Sequence, residues 1–164
     1  MRRRYLFLLF IGCGTAFLDQ ITKRMIQTEF MLHESVPVID GFFSLTYILN
    51  PGAAFGIFSD QGATFRTIFF MAVSVIALTL LAFFFRQTPS DDTYALVAIS
   101  LLFGGAIGNM IDRIRLGEVV DFLDFYIGKY HWPAFNVADS AITVGVSLMM
   151  IQLFFQKDKV EEAG

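Results

Sequence analysis

The chain lacks most of what soluble, secreted and metal-dependent proteins are built on. One cysteine, Cys13, in 164 residues excludes an internal disulfide framework. The two histidines, His33 and His131, stand far apart, and no Cys/His cluster at ligand spacing accompanies them, so no metal site and no cofactor is expected. Charged residues make up only 16% of the chain, against ~25% in ordinary soluble domains. The net charge of -3 comes with no basic patch, which argues against a nucleic-acid partner. No Gly-x-Ser-x-Gly elbow occurs, and a serine–histidine pair would have to recruit His131 from a loop.

What the chain has is hydrocarbon. Hydrophobic residues account for 55% and the mean hydropathy is +0.62, which defines a membrane protein. Its length leaves room for one integral-membrane domain, residues 1–164. The expected fold is an all-α transmembrane bundle of four helices with a small extramembrane β-rich cradle. The helices are expected at about 5–25, 67–86, 93–112 and 139–156, and the β-rich loop at about 30–62. Arg2-Arg3-Arg4 before the apolar run from Tyr5 resembles the start of a signal peptide, and Phe10-Ile11-Gly12-Cys13 even suggests a cleavage motif. Three further spans make an uncleaved helix the more economical reading. Thr67 to Phe85 carries no charge over 19 residues, enough to cross ~30 Å of hydrocarbon at ~1.5 Å per residue. In the third span Gly104 and Gly108 form a small-xxx-small pair that permits close helix contact.

Residues 26–65 differ in kind. Val36-Pro37-Val38-Ile39 and Phe42 to Leu49 are β-branched and aromatic, with Asp40-Gly41 as a hairpin signal between them. Asn50-Pro51-Gly52 breaks the pattern before Ala53 to Phe58. A strand-rich unit on the membrane surface, with interfacial aromatics, accounts for this better than a plain loop.

The polar groups concentrate in Gly104 to Ser140, which holds Asn109, Asp112, Arg113, Asp121, Asp124, Asn136 and Asp139. Asp19 and Lys23 stand one helical turn apart near the far end of the first span, either as a surface ion pair or as a pair that orders a site. Four spans bring the end of the first, the strand-rich loop, the end of the third and the start of the fourth to one membrane face. The basic residues tie at six on each side, so orientation rests on Arg2 to Arg4 abutting the first span, which favours the termini inside.

Two carboxylates on that face could share a proton, the ionised one activating water and the protonated one polarising a peptide carbonyl. Asp139 opens the fourth helix, where the helix dipole favours its anion. Asp121 lies among Val119, Val120, Phe122 and Leu123 and is the better proton holder. Spacing alone does not choose between Asp121 and Asp124. Asn136-x-x-Asp139 is also a good helix cap, and Asp112-Arg113 could simply mark a helix leaving the membrane.

These residues resemble the lipoprotein signal peptidases (signal peptidase II). The resemblance runs over Asp19 and Lys23, Asn50-Pro51-Gly52-Ala53-Ala54-Phe55, Gly108-Asn109-x-x-Asp112-Arg113, Val119-Val120-Asp121-Phe122 and Phe135-Asn136-Val137-Ala138-Asp139-Ser140. It implies a multi-pass aspartic peptidase of the bacterial inner membrane, with the site at the outer face and the termini cytoplasmic. It implies that Asp121 and Asp139 are the catalytic pair, rather than Asp124. It implies supporting or substrate-binding roles for Asp19, Lys23, Asn50, Asn109, Asp112, Arg113 and Asn136. The implied substrate is a diacylglyceryl-modified prolipoprotein, cut just before its lipidated cysteine, with membrane lipid as the other partner and a monomeric enzyme. A proton-coupled transporter would use the same acids as a relay, but it predicts inverted repeats and broken helices that the sequence lacks. A structural scaffold would leave Asp121 and Asp139 replaceable.

Overall fold

The computed structural model describes residues 2–52 and 62–161. Four of its helical stretches are long and apolar enough to cross a membrane: Arg3–Glu29, Ala63–Gln87, Thr93–Leu116 and Val137–Phe154. The first comprises α1 (Arg2–Phe7), a π-helical segment (Leu8–Cys13) and α2 (Gly14–Glu29). The others are α3 (Ala63–Gln87), α4 (Thr93–Leu116) and α5 (Val137–Glu161). Each runs past the limits expected from hydropathy at one end or both, and capping groups mark the ends of α4. Asp92 accepts from the Ala95 N–H at 3.0 Å to start α4. Gly117 ends it in the left-handed region at φ 77°, with its N–H on the Arg113 carbonyl.

The strands form one antiparallel sheet in the order β1 (Ser35–Ile39), β2 (Phe43–Asn50), β3 (Val119–Ile127) and β4 (Tyr130–His131). The β1–β2 hairpin turns at Asp40-Gly41 as expected, with Gly41 at φ 77°. The sheet is not confined to residues 30–62, however. β3 follows α4 and pairs along β2 from Phe43↔Phe125 to Asn50↔Val119. Its run of Val, Phe, Tyr and Ile has the β-branched and aromatic character of a strand, but two aspartates within it disguise that signal. The aromatic segment Ala53 to Phe58 lies outside the described residues.

α4 is the central helix. Of its most apolar stretch 44% is buried, against 11–17% for the other spans, which face lipid. Small residues allow the approach: a Cβ on Gly104 would sit 2.5 Å from the Gly12 carbonyl, and one on Gly105 2.5 Å from that of Ala138. A Cβ on Gly108 would meet the Asp19 carboxylate at 2.5 Å. α4 thereby holds the first and last spans against itself where the polar residues lie.

Because backbone faces Gly104, a larger side chain there must push the first and third spans away from each other. Gly104→Val is expected to lower the thermal midpoint in detergent, at an overpacking cost of about 1–3 kcal/mol. Gly14→Ala, where an added Cβ meets nothing within 4 Å, is expected to leave the midpoint unchanged or raised.

Candidate functional site

The site is built outward from a buried ammonium. Lys23, 1% exposed, places Nζ 2.9 Å from Asp19 Oδ2, 2.8 Å from Asp112 Oδ2 and 2.9 Å from Asn109 Oδ1. Asp19 and Asp112 are 0% and 1% exposed, so the surface-pair reading of Asp19 and Lys23 fails. A cation so deeply buried needs partners for its N–H groups, and two carboxyl groups and an amide oxygen supply them. Each carboxylate also accepts from backbone. Asp19 Oδ1 takes the Ala138 N–H in the first turn of α5 at 2.9 Å, and Asp112 Oδ2 takes the Val120 N–H of β3 at 3.1 Å. The triad thus ties α2, α4, β3 and α5 together.

Asn109 carries the order onward. With Oδ1 accepting from Lys23, its Nδ2 is turned to Asp139 Oδ1 at 2.7 Å. Asn136 Nδ2 donates to Asp121 Oδ1 at 2.7 Å and lies 3.2 Å from Asn109 Oδ1 and from the Val120 carbonyl. Asn50 Nδ2 donates to Asp121 Oδ2 at 2.8 Å, while its Oδ1 accepts from the Gly52 N–H at 2.9 Å. Asn136 is also the N-cap of α5. Its Oδ1 takes the Asp139 N–H at 2.9 Å, and Asp139 Oδ2 reaches back to the Asn136 N–H at 3.3 Å. Asn136-x-x-Asp139 is therefore a helix cap, and the same two side chains also bond Asp121 and Asn109. The Arg113 guanidinium donates to the Asn109 carbonyl at 3.2 Å and stacks over Phe70.

Asp121 and Asp139 line one cavity of about 840 Å³. Its walls include Ile48 and Leu49 of β2, Trp132 to Phe135, and Ser140, Thr143 and Val144 of α5. Burial pushes the Asp121 carboxyl up to about 7, and the neighbouring Asp139 charge adds to the rise. The amide hydrogen bonds from Asn50 and Asn136 and the Lys23 charge oppose it. Asp124, three residues along β3, faces away from this cavity and pairs with His131 Nδ1 at 2.9 and 3.0 Å.

Sequence reasoning overlooked Gln20, whose Nε2 lies 3.0 Å from Asp112 Oδ1, 3.1 Å from the Gly108 carbonyl and 3.3 Å from Asp19 Oδ2. An amide beside Asp19 in an apolar span was the available signal. The Trp132–Phe135 wall also went unremarked, because nothing in its sequence shows that it folds back along β3, where Phe135 pairs with Leu123.

A four-span bundle presenting two acids, each held by asparagine amides, to a cavity beside an antiparallel sheet defines a class of polytopic membrane protein with hydrolytic potential. Comparison with known proteins gives the family. Residues 11–155 match the family model described as Signal peptidase (SPase) II. The Lipoprotein signal peptidase of Syntrophus aciditrophicus is 49% identical over 158 residues, covering 96% of this chain and 98% of that protein. The one from Geobacter sulfurreducens is 53% identical over 140 residues, covering 85% and 86%. A solved bacterial membrane enzyme superposes with a TM-score of 0.83 at 40% identity, covering 93% of this chain and 90% of that one. The chain belongs to the signal peptidase II family. It is a multi-pass bacterial membrane protein and an aspartic peptidase, which disfavours the transporter reading.

Removing the ammonium leaves Asp19 and Asp112 buried without their counter-charge. Lys23→Met is expected to destabilise the protein by roughly 3–5 kcal/mol, read as a lowered thermal midpoint in detergent. Lys23→Met combined with Asp19→Asn and Asp112→Asn is expected to recover much of that loss.

Proposed function

We propose that this chain removes signal peptides from diacylglyceryl-modified prolipoproteins, with Asp121 and Asp139 as the catalytic pair, cutting before the lipidated cysteine. The observation that carries this is the opening of both carboxylates, held by Asn50, Asn109 and Asn136, onto one largely apolar cavity at the membrane face. A lipid-modified substrate stays in the bilayer, so its scissile bond arrives at that level. In this reading the site lies at the outer face of the inner membrane, the termini are cytoplasmic, and the enzyme works as a monomer.

The two acids have unequal surroundings, and their roles follow. Asp139 sits at the N-terminus of α5 and accepts from Asn109 and from the Asn136 backbone, which aims its carboxyl oxygens and suits it to the base role. Asp121 is 2% exposed and holds its proton toward neutral pH. Asp139 takes a proton from water as the oxygen attacks the carbonyl carbon before the lipidated cysteine. Asp121 gives its proton to the carbonyl oxygen, producing a neutral tetrahedral gem-diol. On collapse, the proton held by Asp139 passes to the departing cysteine nitrogen and Asp121 recovers one from a gem-diol hydroxyl. The products are a signal-peptide carboxylic acid and a lipidated cysteine amine. Asn50, Asn109 and Asn136 hold the acids without moving a proton themselves. Arg113 and the Lys23 triad keep that frame in place.

Cleavage of a diacylglyceryl-modified prolipoprotein by purified protein in detergent tests this. Asp121→Asn and Asp139→Asn are each expected to fold and to lose about 10²–10⁴-fold or more in kcat. Near wild-type cleavage by either would remove that residue from the reaction. The pH profile supplies a second test. Since Asp121 must be protonated, kcat/KM is expected to fall as pH rises through about 7. Asn50 favours the Asp121 anion, so Asn50→Ala should move this limb to higher pH. The same raised value sets the sign for stability: the contribution of Asp121 is full below its ordinary 3.8 and is lost as pH climbs through about 7.

A further inference from the structure

One buried acid has no role in the reaction described above. Asp124 is 8% exposed and lies on the face of β3 away from the catalytic pair. Both its oxygens meet His131 Nδ1, at 2.9 and 3.0 Å. A carboxylate can only accept, so Nδ1 carries the hydrogen and the pairing holds whether or not the ring is charged. His131 stands opposite Tyr126 in the β3–β4 register, which makes Asp124 its diagonal neighbour on the same face. The Tyr126 ring stacks on the imidazole at 4.8 Å and 15°.

The position of this contact gives it meaning. β4 is only two residues long, Tyr130–His131, and continues directly into Trp132, Pro133, Ala134 and Phe135, which wall the cavity holding Asp121 and Asp139. That wall is tied to β3 at its ends, by Trp132 N–H to the Phe125 carbonyl and by bonds between Phe135 and both Phe122 and Leu123 with the Phe125–Phe135 stack, while Pro133 and Ala134 make no backbone bond to it. So short a strand, with a 53%-exposed histidine side chain, has little burial to fix it. We propose that His131 is a positioning residue: clasped through Nδ1 to Asp124, it sets where the Trp132–Phe135 wall stands and so how the peptide beside the scissile bond is held. This rests on the peptidase reading for its effect on substrate, but not for its effect on the wall.

Trp132 is the only tryptophan in the chain, so its fluorescence reports the wall directly. The asparagine amide nitrogen can take the place of histidine Nδ1, whereas that of glutamine corresponds to Nε2. In detergent, His131→Ala and His131→Gln are expected to change the Trp132 emission and its quenching by acrylamide. With a diacylglyceryl-modified prolipoprotein, the same two variants should raise KM about tenfold, as loss of a charge-assisted hydrogen bond would, with kcat changed far less. His131→Asn should restore both readings toward wild type, and Asp124→Ala should reproduce His131→Ala. Unchanged Trp132 fluorescence in His131→Ala, or a His131→Asn variant no better than His131→Ala, overturns the clasp. A wild type that does not cleave overturns the peptidase reading, while the fluorescence of the variants still decides the clasp.

Discussion

A single buried ammonium is the interaction on which the rest depends. Lys23 bridges Asp19 and Asp112 inside an apolar bundle, and those acids cap backbone N–H groups of α5 and β3 in turn. Without the cation, two acids would lie buried in an apolar medium without their counter-charge. With it, the first span, the third span, the sheet and the fourth span share one polar knot. The glycines of α4 permit that knot, since a Cβ at Gly108 would collide with the Asp19 carboxylate.

From the knot, order passes through amides, which have distinct donor and acceptor ends. Lys23 fixes the oxygen of Asn109, which turns its nitrogen to Asp139. Asn136 caps α5 with its oxygen and holds Asp121 with its nitrogen. One residue therefore ends a loop, starts a helix and places an acid. The two carboxylates emerge on one cavity in different surroundings, one nearly enclosed and one at a helix N-terminus. In the proposed reaction, that inequality is what divides acid and base work between two chemically identical groups.

The four spans and the β1–β2 hairpin were legible because hydropathy and Asp-Gly turn chemistry are local signals. The convergence of Asp19, Asn50, Asn109, Asp112, Asp121 and Asp139 followed from topology alone, since four spans bring those ends to one face. β3 was not legible as a strand, because Asp121 and Asp124 break the apolar run that would mark one. The strand also separates the two acids that spacing left undistinguished: an offset of three puts them on opposite faces, Asp121 to the cavity and Asp124 to His131. Gln20 and the Trp132–Phe135 wall were hidden for a related reason. Gln20 acquires its place only through Asp112 and Gly108, distant in sequence, and the wall only by folding back onto Leu123 and Phe125.

The central claim is that the pair is unequal at rest, with the proton on Asp121 and the charge on Asp139. Infrared difference spectroscopy of the protein in detergent, titrated with base, observes this without any substrate. The account predicts one protonated-carboxyl band that disappears with a midpoint of about 7, absent from Asp121→Asn and present in Asp139→Asn at a lower midpoint. A band that persists in Asp121→Asn, or no carboxyl titrating above the ordinary range, would contradict it.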